Sequence, residues 1–263
     1  MKILKLDVLF GFIGFFVCLG LVACGDSASS TEGGTTGLLD GGSSNGGKCF
    51  VTAVACPKVL ESGTICDARD GQIYEVVTIG SQTWMAENLN VCAGTGWCYD
   101  NKAENCEKYG RLYTWSAAMG IDDSYQKKFA NIGKQVQGIC PEGFHIPNNA
   151  DWNMLDEYVL STYDDVNSSL RGGTDWHTNV GYLPTNETGF NALPGGEKNI
   201  TGFTKIGNQA FFWVAEEDTI AVGGIVPDGK TSFIRSLNYF GGAFGGGNSF
   251  KDSGLSVRCV KDL

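Results

Sequence analysis

An α+β domain is the fold class that this sequence predicts, on three observations. A β-hairpin pattern opens the folded part, two helical patterns follow, and short strand patterns fill the last third and end on a cysteine-bearing strand. No repeat period is evident, which excludes solenoids and propellers.

The first residues address location. Lys2 and Lys5 precede an apolar run from Val8 to Ala23, with Cys18 inside it, about as long as a signal-peptide core and short of the about 20 apolar residues that span a membrane. The run ends in Leu21-Val22-Ala23-Cys24, which resembles a bacterial lipobox. Residues 1–23 are then a signal peptide, and Cys24 is the lipidated mature N-terminus. An ordinary secretory signal or an uncleaved anchor is the competing reading. Each buried methylene of an acyl chain adds about 0.8 kcal/mol, so a multiply acylated Cys24 holds the chain on a bilayer. By resemblance to lipoprotein sorting rules, Gly25 after the cysteine favours the outer membrane, facing the surface or the periplasm.

Residues 24–48 are almost all Gly, Ser, Thr, Asn and Asp, with Leu38 and Leu39 the only large apolar side chains. Such a segment cannot bury enough surface to offset backbone ordering, and it reads as a tether with a reach of about 25 Å. Residues 49–263 suit a single domain with its own core. The formal net charge of −10 argues against nucleic acid and anionic lipid as partners. The acids fall in short clusters such as Asp122-Asp123, Asp164-Asp165 and Glu216-Glu217-Asp218. No Asp-x-Asp-x-Asp-Gly loop occurs, so no cofactor is expected and calcium stays only an open alternative.

Cysteine usage points to an oxidising compartment. Beyond Cys18 and Cys24, the chain carries Cys49, Cys56, Cys66, Cys92, Cys98, Cys106, Cys140 and Cys259, an even set in an exported protein. Of the 105 connectivities open to eight cysteines, Cys98 with Cys106 and Cys140 with Cys259 are favoured. Cys49 with Cys56 and Cys66 with Cys92 is the provisional choice for the rest. No Cys-x-x-Cys pair exists, and His145 and His177 stand alone, which disfavours zinc.

The hairpin runs from Gln72 to Ile79, turns at Gly80-Ser81 and returns over Gln82 to Met85, with Ile73, Val77 and Ile79 expected toward one face. Cys106 to Met119 reads as one helix, stopped by Gly120, with Leu112, Trp115 and Met119 at helical spacing. A second helix starts after Pro147, capped by Asn148 with Asp151 in the first turn, and lines Trp152, Leu155 and Val159 along one stripe. Beyond Ser161 the chain is loop-rich, and strands are expected over 202–206, 210–215, 224–226, 232–237 and 255–260. The sequons at Asn167, Asn186 and Asn199 read as polar loops.

Four stretches carry a family resemblance: RDGQIYEVVTIGSQTWMAENLN from Arg69, CEKYGRLYTWSAAM from Cys106, GICPEGFHIP from Gly138 and LSVRCVKD from Leu255. Together they resemble the Fibrobacter succinogenes major paralogous domain, a family of bacterial secreted and lipid-anchored proteins, over roughly Cys66 to Leu263. The element order is similar to the C-type-lectin-like fold, in which first and last strands pair and a loop-rich half binds ligand. HIPNNADW from His145 and SVRCV from Ser256 resemble elements of the formylglycine-generating, sulfatase-modifying branch of that superfamily. That branch works through two neighbouring cysteines near its C-terminal end, and Cys259 is the only cysteine after Cys140 here. His145, Trp152 and Arg258 are therefore read as core and helix-start packing.

Absence of a nucleophile elbow, a zinc-protease helix or a phosphate loop makes an enzyme the weaker expectation, with an orphan hydrolase as its remaining form. Binding has candidate residues. Leu237 to Phe250 mixes aromatics with glycines, and Tyr239, Phe240, Phe244 and Asn248 are its candidate ligand-binding members. Trp176, His177, Asn179 and Tyr182 form a second candidate stretch. The expected function is an envelope lipoprotein displaying a non-catalytic domain that binds a polysaccharide or a protein partner at the cell surface. A structural envelope protein without a ligand site is the alternative.

Overall fold

The computed structural model describes residues 54–133, 135–178, 181–220, 227–242 and 244–262. The expected signal segment and tether, Cys24, Cys49, Asn179 and the strand expected over 224–226 lie outside the described residues. In chain order the first half forms β1 (Thr64–Cys66), β2 (Ile73–Ile79), β3 (Gln82–Met85), β4 (Gly96–Trp97), α1 (Ala103–Tyr109), β5 (Leu112–Tyr113) and α2 (Trp115–Met119). Next come β6 (Phe144–His145), α3 (Asn149–Thr162), α4 (Val166–Leu170), β7 (Glu197–Asn199) and β8 (Gly202–Thr204). The chain closes with β9 (Gln209–Glu217), β10 (Thr231–Asn238), β11 (Gly245–Phe250) and β12 (Val260–Lys261). One sheet runs β1-β2-β3-β12-β6, another β11-β10-β9, and two ribbons pair β4 with β5 and β7 with β8. These ladders are antiparallel, which makes the domain α+β.

The opening hairpin forms as its pattern predicts, with Ile79 opposite Gln82 across the turn. Gly80 there takes φ +61°, and a Cβ on it would stand 2.9 Å from the Tyr158 ring. Ile73, Val77 and Ile79 share a face as expected, but burial along the strand is uneven. Ile73 is 46% exposed, whereas Tyr74 is fully buried. β2 contributes to both cores from opposite faces, since Tyr74 joins one hydrophobic cluster and Ile79 the other, while Ile73, Glu75 and Thr78 stay exposed. β9 is built the same way, with Phe211, Trp213 and Ala215 in the first cluster and Ala210, Phe212 and Val214 in the second. A strand buried on both faces reads as a continuous apolar run, as Ala210 to Ala215 does.

The helix expected over Cys106 to Met119 is two short helices with β5 between them. Gly110 breaks it at φ +74°, where a Cβ would lie 2.6 Å from Asn88 Cβ. Tyr113 then exchanges backbone hydrogen bonds with Leu255, at 2.8 and 3.0 Å, and Thr114 caps α2 by accepting from the Ala117 N–H. Gly120 ends α2 in the left-handed region, as expected. α3 matches its sequence reading throughout. Asn148 and Asp151 form a reciprocal capping box, and Trp152, Leu155 and Val159 are its buried residues. Trp152 anchors the second cluster, with its ring centroid 4.7 Å from that of Trp84 and 5.5 Å from that of Phe212. α4 lies in the region read as loop. Within it Asn167 is fully buried, so that sequon is not a polar loop.

Disulfides join Cys98 to Cys106 and Cys140 to Cys259, the two favoured pairs. Cys56 pairs with Cys66. The provisional Cys49–Cys56 and Cys66–Cys92 pairing is thereby corrected, because the turn ahead of β1 brings Cys56 and Cys66 to a Cα separation of 5.9 Å. Cys92 is also disulfide-bonded.

His145 ties the ends of the domain together. On β6 it pairs with Val260 of β12, its Nδ1 lies 2.7 Å from Asp262 Oδ1, and its Nε2 lies 3.2 Å from Asp151 Oδ2. Burial lowers the imidazole pKa, but hydrogen bonds to Asp151 and Asp262 outweigh it, and the net shift is upward from 6.5. A raised folded-state pKa stabilises fully below pH 6.5, and that stabilisation is lost as pH rises through the folded value. The melting temperature should therefore contain a decline starting just above pH 6.5 that His145→Gln removes. An identical pH profile for both proteins would contradict this assignment.

Candidate functional site

The loop following α4 and the loop following β10 meet over one side chain, Arg171. Arg171 is fully buried and packs over the Trp176 ring, 5.0 Å from its centroid. Its guanidinium donates to the backbone carbonyls of Tyr182 and Tyr239, to Ser168 Oγ and to the Asn167 carbonyl. Burial lowers its pKa, against the attraction of Asp165. A cation removed from water is costly unless its donors are satisfied. Here they are satisfied mainly by holding the two loops in register.

The outcome is an aromatic surface. Tyr182 is 41% and Phe240 52% exposed, and Tyr239 is half-buried between them and His177. The Tyr239 ring stands edge-on to Phe240 at 5.3 Å and to His177 at 6.1 Å. His177 Nδ1 lies 2.8 Å from Asn208 Oδ1, and the Tyr239 N–H donates to the Asn208 carbonyl, so one asparagine sets both rings. Tyr182 packs directly on Gly241, where φ is +80° and a Cβ would come 2.0 Å from the ring. No other residue type fits that position without moving the tyrosine.

Gly181, Leu183 and Thr185, which alternate with Tyr182 along the same segment, line a cleft of about 470 Å³. Tyr163, Leu183, Asp164, Asp165 and Glu187 are among the residues that line the cleft, together with threonine and serine hydroxyls. Asp165 caps α4, accepting from the Ser168 N–H and hydroxyl at 3.0 Å each, and Glu187 accepts from Thr185 Oγ1 at 2.9 Å. The lining includes no lysine, arginine or histidine.

Of the residues singled out in the sequence, the fold brings Tyr182, Tyr239, Phe240 and His177 together. Trp176 and Phe244 are only 3% and 4% exposed and are corrected to core residues. Trp176 donates its Nε1–H to the carbonyls of Gly172 and Ala192, and Phe244 packs edge-on to Trp152 at 5.3 Å. Asn248 is exposed but distant. It sits on β11 and donates to Asp218, just past the end of β9, whereas Gln209 at the start of β9 faces Asn238 beside Tyr239. The length of β9 between those points is about 26 Å at strand rise. Sequence reading missed Arg171 and the cleft, and included Gly241 only as one of the glycines in the run from Leu237 to Phe250. A lone arginine in a loop-rich stretch carries no signal of such a role.

Among the described residues no group of three or more His, Cys, Asp or Glu side chains is placed to hold a metal ion, and no helix is long and apolar enough to cross a membrane. Fold and site define a disulfide-crosslinked α+β domain that presents fixed aromatic loops beside an acidic cleft. The chain belongs to the Fibrobacter succinogenes major domain family, whose model matches residues 77–261. No curated protein and no solved structure matches it.

Proposed function

We propose that this chain is a lipid-anchored outer-membrane protein displaying a non-catalytic, C-type-lectin-like domain, which binds a polysaccharide or protein at the cell surface through Tyr182, Tyr239, Phe240 and His177. The observation that carries the binding reading is Arg171, a buried cation whose donors fix the backbone of exposed Tyr182 and of half-buried Tyr239, the residue just before exposed Phe240. Preorganised aromatic loops lose little freedom on binding, and such side chains dominate the energetics of recognition. The lectin-like reading draws on the pairing of the opening hairpin with the last strand, Trp84 opposite Val260. The anchor reading rests on Leu21-Val22-Ala23-Cys24.

The decisive experiment is retention of the full-length chain, kept in detergent, on a panel of insoluble glycans. Tyr182→Ala with Phe240→Ala should weaken retention by about tenfold, the equivalent of about 1.4 kcal/mol. Both side chains are exposed, so melting should hardly change. Undiminished retention would move the ligand elsewhere on the molecule. For the anchor, Cys24→Ser should shift the chain from the membrane pellet to the soluble fraction, and unchanged sedimentation would exclude acylation at that residue.

A further inference from the structure

We propose that the ligand of this surface is an uncharged glycan chain, its ring faces on Tyr182 and Phe240 and its hydroxyls directed into the neighbouring cleft. This rests on the binding reading above and narrows it to one substrate class. The argument is the chemistry of the cleft wall. Asp164, Asp165 and Glu187 line it without any basic side chain. Arg171, which donates to the lining residue Ser168 from behind, is fully buried, and its donors are committed to Tyr182, Tyr239, Ser168 and Asn167.

An anionic sugar would therefore meet like charge with no compensating donor cation, and the formal charge of −10 on the whole chain adds repulsion at longer range. Carboxylates are pure acceptors with about four lone-pair positions each. Asp165 and Glu187 each use only part of that capacity internally. What remains suits hydroxyl donors, which an uncharged polyol supplies in number. The apolar elements, Tyr163 and Leu183 inside the cleft and Tyr182 next in the chain to the lining residues Gly181 and Leu183, suit the C–H faces of sugar rings. A volume of about 470 Å³ falls within the usual range of small-ligand clefts, so the site accommodates a short stretch of a longer chain.

The test uses the full-length protein in detergent on four supports: a neutral pair (microcrystalline cellulose and insoluble mannan), immobilised polygalacturonate as polyanion, and chitosan as polycation. Retention is expected on a neutral support and unchanged between about 0.05 and 0.5 M NaCl, because an uncharged ligand gives salt nothing to screen. Retention on polygalacturonate should be at least tenfold weaker. Neutralising the wall with Asp164→Asn and Glu187→Gln should narrow that gap at least threefold while the neutral support still binds. Equal or stronger retention on polygalacturonate, or a gap that the neutralised variant leaves unchanged, overturns the charge argument and leaves the aromatic surface standing. Retention on chitosan alone, abolished by salt, makes the ligand a polycation and also overturns it. Retention on none of the supports removes the glycan and directs the aromatic surface to a protein.

Discussion

Removing the Cys140–Cys259 bridge, with both residues changed to alanine, should cost about 4 to 5 kcal/mol of stability and lower the melting temperature by about 10–15 °C. The bond spans a sequence separation of 119 residues, so in the chain-entropy model its loss releases the largest loop among the described disulfides. Cys98–Cys106, with a separation of 8, should be worth about 2.5 kcal/mol on the same scale. The longer bridge also has a local role. Cys140 and Cys259 are both buried in the first cluster, and Cys259 directly precedes β12, which joins β3 to β6. Paired melts of the two disulfide variants check the order. Equal losses, or a larger loss from the short loop, would show that local packing and not chain entropy sets the effect.

Arg258→Met should destabilise the domain by about 3–5 kcal/mol, because the buried acceptors on Asn88, Met85 and Phe190 lose their donors at about 1–3 kcal/mol each. Arg258 is 1% exposed and lies over the rings of Phe190 and Phe212, with centroids 4.6 and 5.6 Å from Cζ. It donates twice to Asn88 Oδ1, at 3.0 and 2.7 Å, and to the carbonyls of Met85 and Phe190. Burial pulls its pKa down to about 9, against the attraction of Glu87, so the cation is held at a real desolvation cost. Its four bonds join the end of the hairpin at Met85 and the segment after it at Asn88, the loop at Phe190, and the C-terminal segment. Methionine fills similar space but strips the donors from all three. Arg258→Lys should recover only part of the loss, because an ammonium cannot reproduce the planar fork on Asn88. Urea unfolding gives the values, and a methionine variant within about 1 kcal/mol of the parent would deny the arginine this role.

Local patterns were legible where a single element contained its own signal. α3 is the clearest case, since Asn148, Asp151 and the stripe Trp152, Leu155, Val159 all lie within one short segment. The β2–β3 hairpin is another, with its turn and both strands inside 13 residues, Ile73 to Met85. Reading His145, Trp152 and Arg258 as packing residues also agrees with their burial. The break at Gly110 was not legible, because the groups that demand it, Asn88 and Leu255, are far away in the chain. β11 was hidden for a related reason. Glycines favour no strand by themselves, and its register comes from pairing Ser236 to Gly245 through Thr231 to Phe250.

The candidate site divides along the same line. Aromatic residues near Trp176 and Tyr239 were visible as composition, but composition carries no direction. Phe240 and Phe244 look alike in the sequence; one is half in solvent and the other is sealed against Trp152. The hairpin, the main helix, two of the disulfide pairs and the family are properties the sequence determined by itself, since each depends on neighbours in the chain or on motifs read directly. Which aromatics face water, how Arg171 joins two loops, and where an acidic cleft opens were decided only by tertiary structure. The physical reason is that β9 is buried on both faces and β2 feeds a side chain into each cluster. Alternation marks a face only when the other face is wet, and with two cores the inward and outward directions are assigned by contacts made across the fold.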